Sequence, residues 1–310
     1  MPTRNTRSRS RQELEDKVPE TALSSSRPRS ILGDSTKRSN VEAVTVPLTR
    51  KLTSLSVDEL ELLQLKQRRL QDPDGQIPTF IESLHRGRGV DAPAASTLLA
   101  DAIAATLVFA QQEAGTAVCI SPDGVLLTCS HCIAETHEDL ERKEDKWLLF
   151  ASGCAVRARC VAWDSKRDLA LLQIIAAQAS PYTKNSQATF PFATVGSAQG
   201  GQLICIGHPG SEDLEASMSG VETNYDVLHV SHGRFRGLAK DQDPQDNSEI
   251  GALMHDCWTY WGHSGAPLIG RSSGKLVGLH SSWDDSTGVR RGIALVAIRA
   301  FLEEYTVTQV

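Results

Sequence analysis

From about residue 105 onward the chain is a succession of short apolar runs cut by Gly, Asp, Pro and Ser clusters. The runs read ATLVFAQ, TAVCI, GVLLTCS, KWLLFAS, AVRARCVAW, LALLQII, GQLICIG, VLHVSHGRF, APLIG, KLVGLHS and GIALVAI. Each is too short for a buried helix and rich in the residues that favour pleated backbone. This pattern predicts about eleven short strands in an all-β sandwich or barrel, closed by a final helix from Ile298 to about Tyr305.

The segment before the strands has a different character. All sixteen aromatic residues lie at or after Phe80. Residues 1–52 carry a net charge of +5 and are rich in Ser, Thr, Arg and Pro, which leaves −11 on the remainder. Such a tail cannot bury enough apolar area to offset its ordering entropy. The sequence therefore divides into a disordered basic tail (1–55), a helical extension and linker (56–95) and the all-β domain (96–310). Ser56-Val57-Asp58-Glu59 is a capping box, which predicts a helix over about 57–71 that ends at Asp72-Pro73-Asp74-Gly75. A second helix is expected over about 95–106.

Composition excludes several classes of function. A net charge of −6 argues against a general nucleic-acid binder. No run approaches the roughly 18 apolar residues that span a bilayer, and no apolar stretch near Met1 reads as an export signal. The expected location is intracellular, cytoplasmic or nuclear. The seven cysteines are odd in number, so free thiols are expected in place of a disulfide framework.

Three motifs carry chemistry. Gly262-His263-Ser264-Gly265-Ala266-Pro267 places a serine on a tight glycine turn, where main-chain N–H groups can face a developing oxyanion. Val125-Leu126-Leu127-Thr128-Cys129-Ser130-His131 runs a strand into a histidine, whose imidazole suits a base near neutrality. Trp163-Asp164-Ser165-Lys166-Arg167-Asp168-Leu169 sets a carboxylate at the entrance to a strand, where burial demands a partner. The order is His, Asp, Ser, with gaps of 37 and 96 residues, which excludes the subtilisin and α/β-hydrolase orders. Cys129 and Cys132 form a lone CxxC with no second pair, so no metal or other cofactor is expected.

At these motifs the sequence resembles the trypsin-like serine peptidases, most closely the HtrA/Deg type. Gly115 to Cys132 is similar to that family's GSGFxIxxxGxxLTNxHV segment, ARCVAWDSKRDLALLQI to its DxxxDLALLKI segment, and Gln202 to Gly210 to its GxxVxAIGxPxG strand. The resemblance is co-linear over about residues 100–305. It implies a chymotrypsin-like double six-stranded β-barrel with a C-terminal helix, here behind an N-terminal disordered and helical extension. It implies a serine endopeptidase: Ser264 as nucleophile, His131 as general base and acid, Asp168 orienting the imidazole, and the Gly262 and Ser264 N–H groups as the oxyanion hole. Ser281 would lie on the strand that pairs with substrate. Trp258 would form the floor of the primary substrate pocket, with Ala294 and Val296 as walls, favouring a small apolar side chain. Core packing is an equal reading for Trp258.

The sequence departs from the family in places. His263 replaces the aspartate that digestive members carry before the serine, Ala266 replaces a glycine, and no Ile-Val-Gly-Gly activation sequence is present. The chain's end at Val310 leaves no room for the family's PDZ domain, so substrate capture is expected to differ. Cys132 has no cysteine near Gly115 to bridge it. The expected partner is a protein or peptide substrate, with no nucleic acid or membrane and a possible contact through the N-terminal extension. Oligomeric state is open. The alternative is a trypsin-fold binding or scaffold protein without turnover, motivated by His263, Ala266 and Trp258.

Overall fold

The computed structural model describes residues 41–44, 48–49, 53–86, 94–111, 115–141, 144–178, 189–213, 215–218 and 220–308. Two closed antiparallel barrels of six strands account for most of them. The first takes β2 (Thr106–Phe109), β3 (Thr116–Cys119), β4 (Val125–Thr128), β5 (Lys146–Phe150), β6 (Ala155–Asp164) and β7 (Leu169–Gln178), where β1 is Glu42–Val44. Their order is β7-β4-β3-β2-β5-β6, and pairing of β6 with β7 closes the ring. The second takes β8 (Gln202–Gly207), β9 (His229–Leu238), β10 (Leu253–His255), β11 (Pro267–Gly270), β12 (Leu276–Trp283) and β13 (Arg290–Ala294), in the order β10-β13-β12-β11-β8-β9. This is the double barrel that the resemblance implies. Each of the eleven apolar runs contributes a strand, the last, GIALVAI, only by its first three residues, and each ring closes on itself.

Alternation fills the first barrel. Leu107, Phe109, Leu126, Leu148, Phe150 and Leu171 are fully buried, and Phe150 stacks on Phe190 with ring centroids 5.9 Å apart. The second interior is less apolar. Leu203, Leu253, Leu268 and Ala294 share it with buried imidazoles of His255 and His280.

The N-terminal elements hold the barrels from outside. Helix α1 (Val57–Leu70) starts at Ser56, whose hydroxyl accepts from Glu59 N–H while Glu59 accepts from Ser56 N–H. It buries Leu63, Lys66 and Leu70, one stripe of the helix, on the first barrel. The Lys66 ammonium donates to Phe109 O at 2.9 Å, and Gln67 Nε2 donates to Gly153 O at 2.7 Å. Helix α2 (Gln76–Arg86) reaches the second barrel, where Val230 N–H donates to Gln76 Oε1 and Phe80 meets His232. Helix α3 is Ala94–Ala104, and α4 is the short His137–Glu141. The closing helix α5 runs Leu295–Thr308, three residues longer at each end than the apolar pattern indicates.

Packing begins earlier than residue 55. Strand β1 pairs in parallel with the far half of β7, Glu42 opposite Ala176, and Leu48, Thr53 and Leu55 are buried. Trp147 Nε1 donates to Thr53 O at 2.7 Å. The described residues among 41–55 thus pack with the first barrel, because β7 outruns β4 and leaves main-chain groups to be paired. Residues 1–40 of the expected tail lie outside the described residues. No helix among the described residues is long and apolar enough to cross a membrane.

Candidate active site

The two barrels meet at the serine turn. Gly115 N–H donates to Gly262 O at 3.0 Å, and Thr116 N–H donates to Ser264 O at 2.9 Å. The start of β3 in the first barrel therefore grips the Gly262–Ser264 turn of the second. Glycine is required twice in this turn. Gly262 has φ +98° and Gly265 has φ +81°, where L side chains are strained. A Cβ on Gly265 would lie 2.1 Å from Thr116 O and 2.4 Å from Thr128 Oγ1, inside van der Waals contact.

His131 sits in a single 3₁₀ turn, Ser130–Cys132, at the end of β4. Asp168 opens β7 with φ +54°, a left-handed conformation that Asp and Asn tolerate better than other residues. That turn aims the carboxylate inward, where it is 5% exposed. His131 Nδ1 lies 2.9 Å from Asp168 Oδ1 and 3.0 Å from Oδ2. The carboxylate also accepts from Ser130 Oγ (2.9 Å), from His131 N–H (3.2 Å) and from Ser281 Oγ (3.0 Å). Burial alone would raise its pKa. The imidazole's charge and these hydrogen bonds outweigh burial and hold it below the usual carboxylate range. Burial likewise works against a charged His131, but Cys132 and Asp168 beside it push its pKa well above 6.5. The Asp168 bonds occupy Nδ1, which leaves Nε2 as the nitrogen free to exchange a proton.

Ser264 is joined to this pair through Ser281. Its hydroxyl donates to Ser281 O at 3.2 Å, while the Ser281 hydroxyl donates to Asp168. Cys132 Sγ approaches Ser264 O at 3.6 Å. Among the described hydrogen bonds none links Ser264 Oγ to the imidazole, and neither Gly262 N–H nor Ser264 N–H donates to protein. The structure thus brings His131, Asp168, Ser264, Gly262 and Ser281 together.

The expected pocket residues fare differently. Trp258 packs edge to face on Tyr225, His229 and His263 and lies parallel to Tyr260, the packing alternative of the sequence reading. Ala294 is buried in the second barrel's core opposite Gly278. Val296 is half exposed on the first turn of α5, beside Ser197, Arg299 and Glu303. Neither wall residue reaches Ser264. The register explains the difference: His280 pairs with Gly292 and Trp283 with Arg290, so the end of β13 near Ser264 is Arg290–Gly292 and not Ala294–Val296.

Sequence reasoning also missed a cluster of buried histidines. His255 Nε2 and His280 Nδ1 are 3.0 Å apart, and His263 lies 6.3 Å from His280 between ring centroids. His263 Nδ1 sits 3.0–3.1 Å from both the O and the N–H of Tyr260. Burial pushes His255 and His263 down to about 3 and His280 well below its ordinary value. All three are therefore neutral at pH 7, and below about pH 6.5 the unfolded chain takes up protons that the folded chain refuses. Below about pH 5.5, where an unfolded imidazole is almost fully protonated, His255 and His263 each contribute a loss of about 1.4 kcal/mol per pH unit, and His280 acts in the same direction. His131 adds no slope there, since it is protonated in both states, and Asp168 acts only at lower pH. Urea melts at pH 7.0, 6.0, 5.0 and 4.5 check this; a flat profile would contradict the buried neutral cluster.

Cys129 Sγ, a ring nitrogen of His131 and an Asp168 oxygen lie within 4.8 Å of one another, a spacing that could hold a metal ion. Burial pushes the Cys129 thiol's pKa well up, and Asp168 is already spent on hydrogen bonds. Metal binding would have to break the Asp168–His131 pair, so the donor set suits proton transfer better. All seven cysteines are free.

The family model described as a trypsin-like peptidase domain matches residues 115–279, just over half the chain. Among solved structures, a serine endoprotease from Yersinia pestis is 19% identical, with a TM-score of 0.48 over 69% of this chain and 66% of that one. The inactive form of the Rv3671c protease of M. tuberculosis is 15% identical, with a TM-score of 0.45 over 67% of this chain and 92% of that one. The HtrA-type protease AlgW with a decapeptide is 21% identical, with a TM-score of 0.43; the chain covers about half of it, 51%. No curated protein matches the chain.

Proposed function

Since the chain belongs to the trypsin-like peptidase family, we propose that it is a serine endopeptidase that cleaves protein or peptide substrates through an acyl-enzyme on Ser264. The single observation that supports this most is the Asp168–His131 pair held beside a Ser264 whose two flanking main-chain donors are unspent. In this reading the Ser264 hydroxyl leaves Ser281 O by rotation about its Cα–Cβ bond and donates to His131 Nε2. Apo sites often tighten in this way only when substrate is present. The imidazole takes the proton as Oγ attacks the scissile carbonyl, and Asp168 stabilises the imidazolium without being protonated. The Gly262 and Ser264 N–H groups hold the oxyanion, worth about 3–4 kcal/mol per donor. His131 then protonates the leaving amine, and water repeats the cycle on the ester.

A raised His131 pKa delays the appearance of the free base. The acid limb of kcat/KM should therefore have its midpoint above about 6.5, the ordinary imidazole value. A pH–rate profile from 5.5 to 9 checks it, and a midpoint at or below 6 would contradict the Asp168–His131 coupling.

The second reading, a binding module without turnover, is favoured by one observation: at rest the Ser264 hydroxyl donates to Ser281 O and not to the imidazole. Cleavage of an unbiased peptide library by the wild type and by Ser264→Ala separates the two. Loss of all cleavage in the variant supports the peptidase, and equal cleavage by both proteins refutes the assignment of Ser264.

A further inference from the structure

The register of the second barrel gathers one cation, Arg290, and three neutral imidazoles at one end. His255 faces Arg290 across β10 and β13, and Arg290 faces Trp283 across β13 and β12. Gly292, next on the same face of β13, pairs with His280, and a Cβ there would strike Leu279 O at 2.3 Å. The charge of Arg290 is felt at His255, His263 and His280. This end lies beside the serine turn: Gly265 N–H donates to His280 O, and Ser264 Oγ donates to the carbonyl of the next residue, Ser281.

Three further facts mark it as a receptor and not as ordinary core. Arg290 donates to two main-chain oxygens, Gly288 O at 3.1 Å and Thr259 O at 3.3 Å, and among the described residues no carboxylate pairs with it. Three polar atoms on residues that bond Arg290, pair with it across the sheet or feel its charge are buried with no hydrogen-bond partner: Thr259 Oγ1, His255 Nδ1 and His263 Nε2. Each such orphan is costly in a folded protein unless something fills it. The acids next to His255 and Trp283 in the chain have partners of their own. Asp256 pairs with Arg236 on the outer face, and Asp284 and Asp285 are tied to Ser286 and to Trp283 Nε1.

We propose that this site receives an acidic side chain, so that the substrate residue donating the scissile carbonyl is glutamate or aspartate, with Arg290 as its specificity-determining partner. The proposal rests on Ser264 being the nucleophile. A carboxylate there gains a guanidinium, and the hydroxyl of Thr259 gains an acceptor. A small apolar side chain, the expectation drawn from Trp258, would leave all of these unpaired. Trp261 and Trp283 meet edge to face with ring centroids 4.4 Å apart, and the Arg290 guanidinium lies 5.8 Å from the centroid of the Trp283 ring.

The test uses the full chain and covalent peptidyl diphenyl phosphonates, which phosphonylate a serine nucleophile with loss of phenol at a rate set by their leading side chain. The glutamate analogue should label at least tenfold faster than the leucine and lysine analogues. Arg290→Gln should bring the glutamate-to-leucine ratio close to one, whereas Arg290→Lys, which keeps the charge, should retain part of it. Faster labelling by the leucine or lysine analogue overturns the proposal. So does an absence of labelling by the glutamate analogue where a generic fluorophosphonate labels Ser264. The wild-type rates decide the matter even if Arg290→Gln fails to fold. If the fluorophosphonate also fails, the nucleophile assignment has failed, and the acidic preference falls with it.

Discussion

Ser264→Ala should lower kcat/KM toward peptide substrates by about 10⁵-fold or more while the protein stays folded. The size follows from what the hydroxyl does. Without it no acyl-enzyme forms, and the imidazole and main-chain donors act only on water. The stability cost is small by comparison. The variant loses one hydrogen bond to Ser281 O, worth about 1 kcal/mol, and leaves the grip of Gly115 and Thr116 on the turn intact. Activity assays beside a thermal melt check both halves. A drop in activity matched by loss of the melting transition would point to a structural role. Residual activity within tenfold of wild type would show that another group attacks.

Asp168→Asn should cost about 10⁴-fold in kcat near neutral pH, the loss seen when the buried partner of such a histidine can no longer fix its tautomer. Asp168 accepts every hydrogen bond in its cluster, from Ser130, from the His131 ring and N–H, and from Ser281. An amide can accept on one side only. Its NH₂ would drive His131 to the tautomer with Nδ1 as acceptor, and Nε2 would then carry a proton and be unable to take one. Asparagine tolerates the left-handed backbone at this position, so the turn into β7 should survive. Alanine is a poorer test, because it adds backbone strain to the chemical change. Recovery of activity at high pH would fit the tautomer account; unchanged activity at pH 7 would remove Asp168 from the mechanism.

The sequence was informative where a single local rule decided the outcome. Apolar runs separated by turn residues marked all the longer strands, and the Ser56–Glu59 pair marked the start of α1. The order of His131, Asp168 and Ser264 and the motifs around them carry the family resemblance, which implies that the three share one cleft. Elements fixed by tertiary context were harder to read. Strands β1 and β10 have three residues each, too few to show alternation, and exist because β7 and β13 offer them partners. Helix α2 begins Gln76-Ile77-Pro78, and the proline reads as a continuation of the preceding turn, although the first turn of a helix tolerates it. Ala294 and Val296 were misplaced because β13 ends at Ala294 and the chain turns directly into α5. The histidine cluster was invisible for a related reason. His255 and His280 lie on different strands, β10 and β12, and meet because β13 pairs with both, while His263 joins them from the serine turn.

The central claim is that the fold makes one hydroxyl, that of Ser264, reactive through His131. Fluorophosphonate labelling followed by peptide mass spectrometry measures this directly. We expect a single adduct on Ser264 in the wild type, slowed by at least a hundredfold in His131→Ala. An unlabelled Ser264 under conditions that label a known serine peptidase, or labelling unaffected by loss of the imidazole, would contradict it.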